Sequence, residues 1–182
     1  LVNSLQRKYY LEREPFERLK GFLFEDKEED WIGELRIKST GRKLSIKRKA
    51  DEVDYELPLV FDVPIPTPFG MVTATISNEV EPSDDRLISQ FDLRELPGEL
   101  FIRNWRASET IEPFGLDGSK TISKLLTDAR ISAWDGKSVY PVLVQKIDGK
   151  DVILSVPGIR RSRHAPLSPA TKAVLEVRFE AR

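Results

Sequence analysis

From Trp31 the apolar positions of this chain begin to recur with a strand's spacing. Ile32, Leu35 and Ile37 lead into Ser39-Thr40-Gly41-Arg42, after which Leu44 and Ile46 alternate with Ser45, Lys47 and Lys49. Period two on both sides of a glycine-containing turn predicts a β-hairpin. Upstream, Tyr9, Tyr10, Phe16, Phe22 and Phe24 are mixed with charges, Pro15 interrupts any long helix, and Glu25–Asp30 reads as a solvated acidic loop. Downstream, Tyr55–Val63 and Met71–Ser77 read as strands separated by Pro64, Pro66 and Pro68, which exclude a paired central strand there and leave a sheet edge or an extended connection. Leu87–Phe91 and Leu100–Arg103 are short strands about the Pro97-Gly98 turn. Val142–Lys146 and Asp151–Val156 form a hairpin about Asp148-Gly149, and residues 172–179 return to alternation as a closing strand.

One segment changes period. Ile122, Leu125, Leu126 and Ala129 fall at i, i+3, i+4 and i+7, so a short helix is expected, with Ser119 or Thr121 at its N-cap. The pattern therefore predicts an α+β, strand-rich protein with a β-sandwich-like core and one or two short helices. Glu81–Asp85, with a proline and three acids, is the expected linker. It divides the chain into a strand-rich intermediate region, 1–86, and a C-terminal domain, 87–182.

Composition narrows the chemistry. The 182 residues include no cysteine and one histidine, His164, so disulfides and thiolate metal sites are excluded and histidine-rich zinc sites lack ligands. No window has the apolar length of a membrane span, and a membrane partner is not expected. The only methionine is Met71 and the chain opens on the bulky Leu1. That combination predicts a piece of a longer protein. Net charge is −1, but residues 1–100 hold 15 Lys/Arg against 21 Asp/Glu (−6) and residues 101–182 hold 14 against 9 (+5). A basic C-terminal half points toward a polyanionic partner.

The stretch from Arg103 to Ile131 concentrates the candidate chemistry. An Arg/Trp cluster (Arg103, Trp105, Arg106) precedes breaks at Pro113, Gly115 and Gly118, and a helix follows whose first turns carry Lys120 and Lys124. A glycine-broken loop feeding a helix N-terminus is a place where phosphate is expected. Gly115–Thr121 is not a nucleotide-hydrolysing loop, because only two residues separate its glycines and Ser119 intervenes before Lys120. Asp128 and Glu109 form no evident acid/base pair; Asp128 reads as a partner of Arg130 or a cap of the next turn. His164 reads as a surface residue. Arg160, Arg161 and Arg163 cluster after Pro157-Gly158. These cations either contact phosphates or pair with Glu109, Glu112, Asp117 and Asp128, and the sequence leaves both open.

Four blocks in order resemble a known family. They are Phe91-Asp92 to Arg103-Asn104-Trp105-Arg106, Pro113-Phe114-Gly115 to Asp128-Ala129-Arg130-Ile131, Pro141-Val142-Leu143, and Val156-Pro157-Gly158-Ile159-Arg160. Together they are similar to the C-terminal domain of bacterial tRNA(Ile)-lysidine synthetase, from about residue 88 to the end and less closely from 55. The resemblance implies a cytoplasmic parent, with a homodimer as one form open to it, that uses ATP and Mg in an N-terminal domain to join lysine to the wobble cytidine of tRNA(Ile). That catalytic domain carries an SGGxDS loop, which has no counterpart here, so no catalytic residue and no cofactor is expected in this chain. The implied domain is related to one in the phenylalanyl-tRNA synthetase beta chain and holds the acceptor stem.

By the same resemblance, Arg103, Arg106, Lys120, Lys124, Arg130, Arg160 and Arg161 are the expected tRNA-binding residues. Three departures weaken that set. Where the family reads Arg-Pro-Gly-Asp-Arg, this chain has Arg106-Ala107-Ser108-Glu109-Thr110, which implies loss of the tight turn, its acid and the second Arg. A Lys-Lys pair is Lys120-Thr121, and an Arg near Trp134 is displaced to Lys137. The alternative is a structural or docking domain of the same fold without tRNA contact. An editing-type hydrolase would need a base or metal set that the sequence does not offer.

Overall fold

The computed structural model describes residues 17, 22, 29–32, 35–40, 43–48, 54–131 and 136–181. The expected loop at 25–28, Pro15, the Gly41-Arg42 turn, and Trp134 with Asp135 lie outside them. Contacts divide the chain into two units, Leu1–Asp51 and Glu52–Arg182. The first holds a three-stranded antiparallel sheet of β1 (Glu29–Ile32), β2 (Leu35–Thr40) and β3 (Lys43–Arg48). Thr40 pairs with Lys43 at the end of the β2–β3 ladder. Phe22, Ile32 and Ile37 are buried there, with Leu44 and Ile46 against them. The separate strand β1 was not legible, because Ile32, Leu35 and Ile37 read as one alternating run.

The second unit is built on two antiparallel sheets. One runs β13-β12-β11-β8-β4 and the other β5-β6-β14-β7. Their ranges are β4 Glu56–Pro58, β5 Ile65–Thr67, β6 Gly70–Ser77, β7 Ile88–Asp92, β8 Glu99–Asn104, β11 Pro141–Ile147, β12 Lys150–Val156, β13 Arg160–Arg161 and β14 Val174–Ala181. The expected strand over Tyr55–Val63 contracts to β4: after the Leu59 N–H donates to the Leu100 carbonyl at 2.8 Å, the chain leaves β8 and Phe61 bridges to Ala74 of β6 in the other sheet. The prolines do sit at an edge, where β5 is the outermost strand of its sheet. A boundary at 86/87 falls inside this unit, because β6 pairs with β14 from Gly70 to Ser77 and so ties residues 65–77 to the closing strand.

Two apolar clusters explain the layering. Val72 and Ala74 of β6, Phe91 of β7, and Leu175, Val177 and Phe179 of β14 meet Ile102, Leu143 and Leu154 from the five-stranded sheet. That sheet's other face carries Val142, Val144, Ile153 and Val156, covered by Ile122, Leu125 and Leu126. The latter three belong to the helix α1 (Ile122–Asp128). The five-stranded sheet is therefore buried on both sides, which is why β11 reads as a continuous apolar run rather than an alternation. Asp148 (φ 50°) and Gly149 (φ 75°) make the left-handed β11–β12 turn. Gly98 is required sterically: a Cβ there would lie 2.3 Å from the Lys146 carbonyl oxygen.

Candidate nucleic-acid interface

The helix α1 starts as its sequence dictates. Thr121 is the N-cap, its hydroxyl accepting from the Lys124 N–H at 3.3 Å. The Ile122 N–H donates to the Glu109 carbonyl at 2.9 Å. The helix end is a Schellman motif. Arg130 is left-handed (φ 60°), its N–H donates to the Thr127 carbonyl, and the Ile131 N–H donates to that of Leu126.

The phosphate cradle expected ahead of α1 is absent. A seven-residue helix whose Ile122 and Lys124 amides are already bonded offers little to an anion. The strand β10 (Lys120–Thr121), paired with β9 (Thr110–Ile111), separates it from the glycine loop. That loop instead packs on β13, with the Phe114 N–H donating to the Arg161 carbonyl at 3.0 Å. Arg163 reaches back, donating to the Leu116 carbonyl at 2.9 Å and pairing with Glu112 at 3.4 Å.

The seven expected cations separate into three groups. Arg103 and Arg106 belong to a charge network at the side of the five-stranded sheet. Arg103 is wholly buried, and its guanidinium pairs with Glu109 at 2.5 Å and Asp151 at 2.9 Å. It also donates to the Asn104 carbonyl at 2.9 Å. Burial by itself would lower its pKa, but the hydrogen bonds and charges of Glu109 and Asp151 outweigh that and hold it above the ordinary value. Arg106, half exposed, pairs with Glu56 at 3.1 Å and Asp151 at 3.4 Å, and Lys146 closes onto Glu56. Three cations face three carboxylates, so the network has no net charge. Arg103 is thus corrected from a phosphate contact to an internal tie between β8, β12 and the loop after β8.

That loop also corrects the expectation of a lost turn. The Glu109 N–H donates to the Arg106 carbonyl at 3.3 Å, and Ser108 takes a left-handed conformation (φ 67°). The Glu109 carboxylate accepts from the Arg106 N–H at 2.7 Å while gripping Arg103. Serine adopts the backbone that glycine would, and glutamate supplies the acid.

The second group surrounds α1. Lys120 and Arg130 are exposed and make no ion pair among the described residues. Lys124 pairs with Asp128 at 2.8 Å, one turn on, so Asp128 serves Lys124 rather than Arg130. That hydrogen bond, the largest of several effects, holds the Asp128 carboxyl below its usual range. Lys137 donates to the hydroxyls of Ser123 at 3.1 Å and Thr127 at 2.8 Å.

The third group is at β13. Arg160 is exposed, while Arg161 is half-buried with its guanidinium 3.8 Å over the Phe114 ring. It donates to the Gln90 carbonyl at 2.7 Å, and desolvation lowers its pKa. Sequence reasoning missed Arg86, which lines one recess together with Phe114, Arg160 and Arg161, because it stands alone directly after the acidic 81–85 segment. His164 is half-buried, its Nε2 enclosed without a hydrogen-bond partner in the structure, rather than a plain surface residue.

No protein-family model matches the chain. A solved structure of the TilS C-terminal domain superposes with a TM-score of 0.63 at 18% identity, covering 71% of this chain and 98% of that one. The chain has the TilS C-terminal fold. In sequence it is similar to the tRNA(Ile)-lysidine synthase of Shouchella clausii, 28% identical over 99 residues, or 54% of this chain and 20% of that protein. The synthase of Symbiobacterium thermophilum is 31% identical over 91 residues, 50% of this chain and 18% of that protein. The Solibacter usitatus synthase is 37% identical over 62 residues, 34% of this chain and 13% of that protein. The matches thus span between a third and about half of this chain and at most a fifth of these relatives. Among the described residues, no helix is long and apolar enough to cross a membrane.

Proposed function

We propose that this chain is the tRNA-binding C-terminal portion of a tRNA(Ile)-lysidine synthetase, taking hold of the acceptor stem while an N-terminal domain uses ATP and Mg to attach lysine to the wobble cytidine. The observation that carries the reading is the coincidence of lysidine synthase sequence similarity with the TilS C-terminal fold on one chain. The chemistry the residues offer is electrostatic. Lys120, Arg130 and Arg160 stand exposed and make no ion pair among the described residues, although the charge of Lys120 also reaches Asp128, and such exposed cations can neutralise backbone phosphates. Arg106 and Lys124 reach a phosphate only by exchanging a carboxylate for it, and Arg103 has no route to one.

Arg130 gives the cleanest test. It occupies a left-handed C′ position where glycine is favoured, so Arg130→Gly removes a charge without loosening the helix end. Binding of tRNA(Ile) is measured by fluorescence anisotropy across a salt series. The expected result is a log–log slope flattened by ~0.9 in Arg130→Gly. Binding by wild type that is weak and indifferent to salt would refute the reading. The pairing of Arg103, Arg106 and Lys124 with carboxylates favours the docking-domain alternative, which predicts that second outcome.

A further inference from the structure

A recess of about 490 Å³ opens where β7, at the edge of one sheet, comes beside β13, at the edge of the other. It is lined by the segment 82–86, by Ile159, Arg160 and Arg161, and by Phe114. The edge of β7 is already closed to a further strand. The Gln90 carbonyl accepts from Arg161, and the Gln90 side chain accepts from the Ser83 N–H at 2.9 Å and donates to the Glu81 carbonyl at 2.9 Å. What the recess offers is therefore its side chains. Arg86 and Arg160 are exposed cations at its margin. Of its two acids, Asp85 is committed to the turn, where its carboxylate accepts from the Leu87 N–H at 2.9 Å, and Asp84 is exposed.

Phe114 is the informative residue. It is 45% exposed and belongs to neither apolar cluster, so packing does not account for it. Its ring is braced by the Arg161 guanidinium, which the bond to Gln90 holds in place. An arginine–aromatic stack beside further arginines is a platform for the face of a nucleobase. In a duplex those faces are taken up by neighbouring bases, and only phosphates and groove edges remain. A recess of this size falls within the ~300–1,000 Å³ typical of small-ligand sites, which suits a single nucleotide rather than a helix.

We infer that this recess receives an unpaired nucleotide of the bound RNA, its base against the Phe114–Arg161 stack and its phosphate at Arg86 and Arg160. The inference rests on the tRNA-binding reading, and it concerns single-stranded nucleotides such as those at a tRNA 3′ end. Two RNA hairpins of the acceptor-stem sequence, one blunt and one with a four-nucleotide 3′ overhang, are titrated against the full chain at fixed low salt. Wild type is expected to bind the overhang RNA about tenfold more tightly than the blunt one. Phe114→Ala is expected to lose that preference while keeping its melting temperature, and Phe114→Trp to retain it. If Phe114→Ala keeps the full preference, or if wild type never shows one, the inference is overturned while the phosphate-binding reading stands. If neither hairpin binds in a salt-dependent way, both fall together.

Discussion

Replacing Arg103 by methionine should unfold this protein more readily and leave the proposed RNA binding alone. The guanidinium is completely buried and bridges Glu109 and Asp151, whose side chains keep 18% and 22% exposure. Methionine fills much of the volume but leaves two carboxylates facing each other with their shared counter-ion gone. Breaking a buried pair typically costs about 3–5 kcal/mol. Here the carboxylates retain some water, which places the cost at the lower end, about 3 kcal/mol. For a chain of this length each kcal/mol moves the melting temperature by about 2–4 °C, so a fall of about 6–12 °C is expected by circular dichroism. Arg103→Lys should lie between, since it keeps the charge but not the two-pronged grip.

The same variant separates two roles. The family resemblance placed Arg103 among the tRNA-binding residues, and removing a cation from a phosphate would flatten the salt slope of RNA binding by ~0.9. Burial in a neutral network requires the slope to stay at its wild-type value when measured well below the melting transition. A variant that melts within about 2 °C of wild type yet shows a flattened slope would refute the assignment.

Ser108→Gly should be mildly stabilising. A left-handed non-glycine residue costs about 1–2 kcal/mol, and glycine's greater freedom when unfolded returns about 0.5–1, leaving a gain of about 0.5 kcal/mol and a rise of roughly 1–2 °C. An unchanged or lower melting temperature would show that the turn is held by something else. Acid should weaken the second unit through Asp92, which accepts from the Arg94 side chain and N–H and from the Thr171 hydroxyl at 2.8 Å. Arg94 chiefly holds its carboxyl below the usual value, so its contribution is complete above the unfolded pKa near ~3.9 and vanishes as pH falls through the lower folded value. The difference in urea midpoint between wild type and Asp92→Asn should be smaller at pH 3 than at pH 6; a gap that does not narrow would count against Asp92 as the source.

How much of this was legible depended on range. The helix α1 and the β11–β12 hairpin were readable because their signals are local: an i, i+3, i+4 stripe with a threonine cap, and an Asp-Gly turn between apolar runs. The sheet that joins 70–77 to 174–181 was not, because nothing in either segment names a partner a hundred residues away. Arg103 was misplaced for a related reason. Its partners Glu109 and Asp151 come from different elements, and the basic residues around it in sequence suggested an exposed patch. The recess at β13 drew only Arg160 and Arg161 from the sequence, since Arg86 and Phe114 reach it from separate loops.

The cations that survive as candidates differ from those that do not by what the fold asks of them. Arg103 and Arg106 lie in a network whose charges cancel, and the turn at Ser108 and Glu109 depends on it. Their positive charge is used internally. Arg130 is the opposite case. Its backbone position favours glycine by about 1 kcal/mol or more, its side chain makes no ion pair among the described residues, and the helix closes through main-chain bonds that glycine would make equally well. Folding alone gives no reason for an arginine there. A use outside the fold would, and under the tRNA-binding reading proposed above a backbone phosphate is the partner for it.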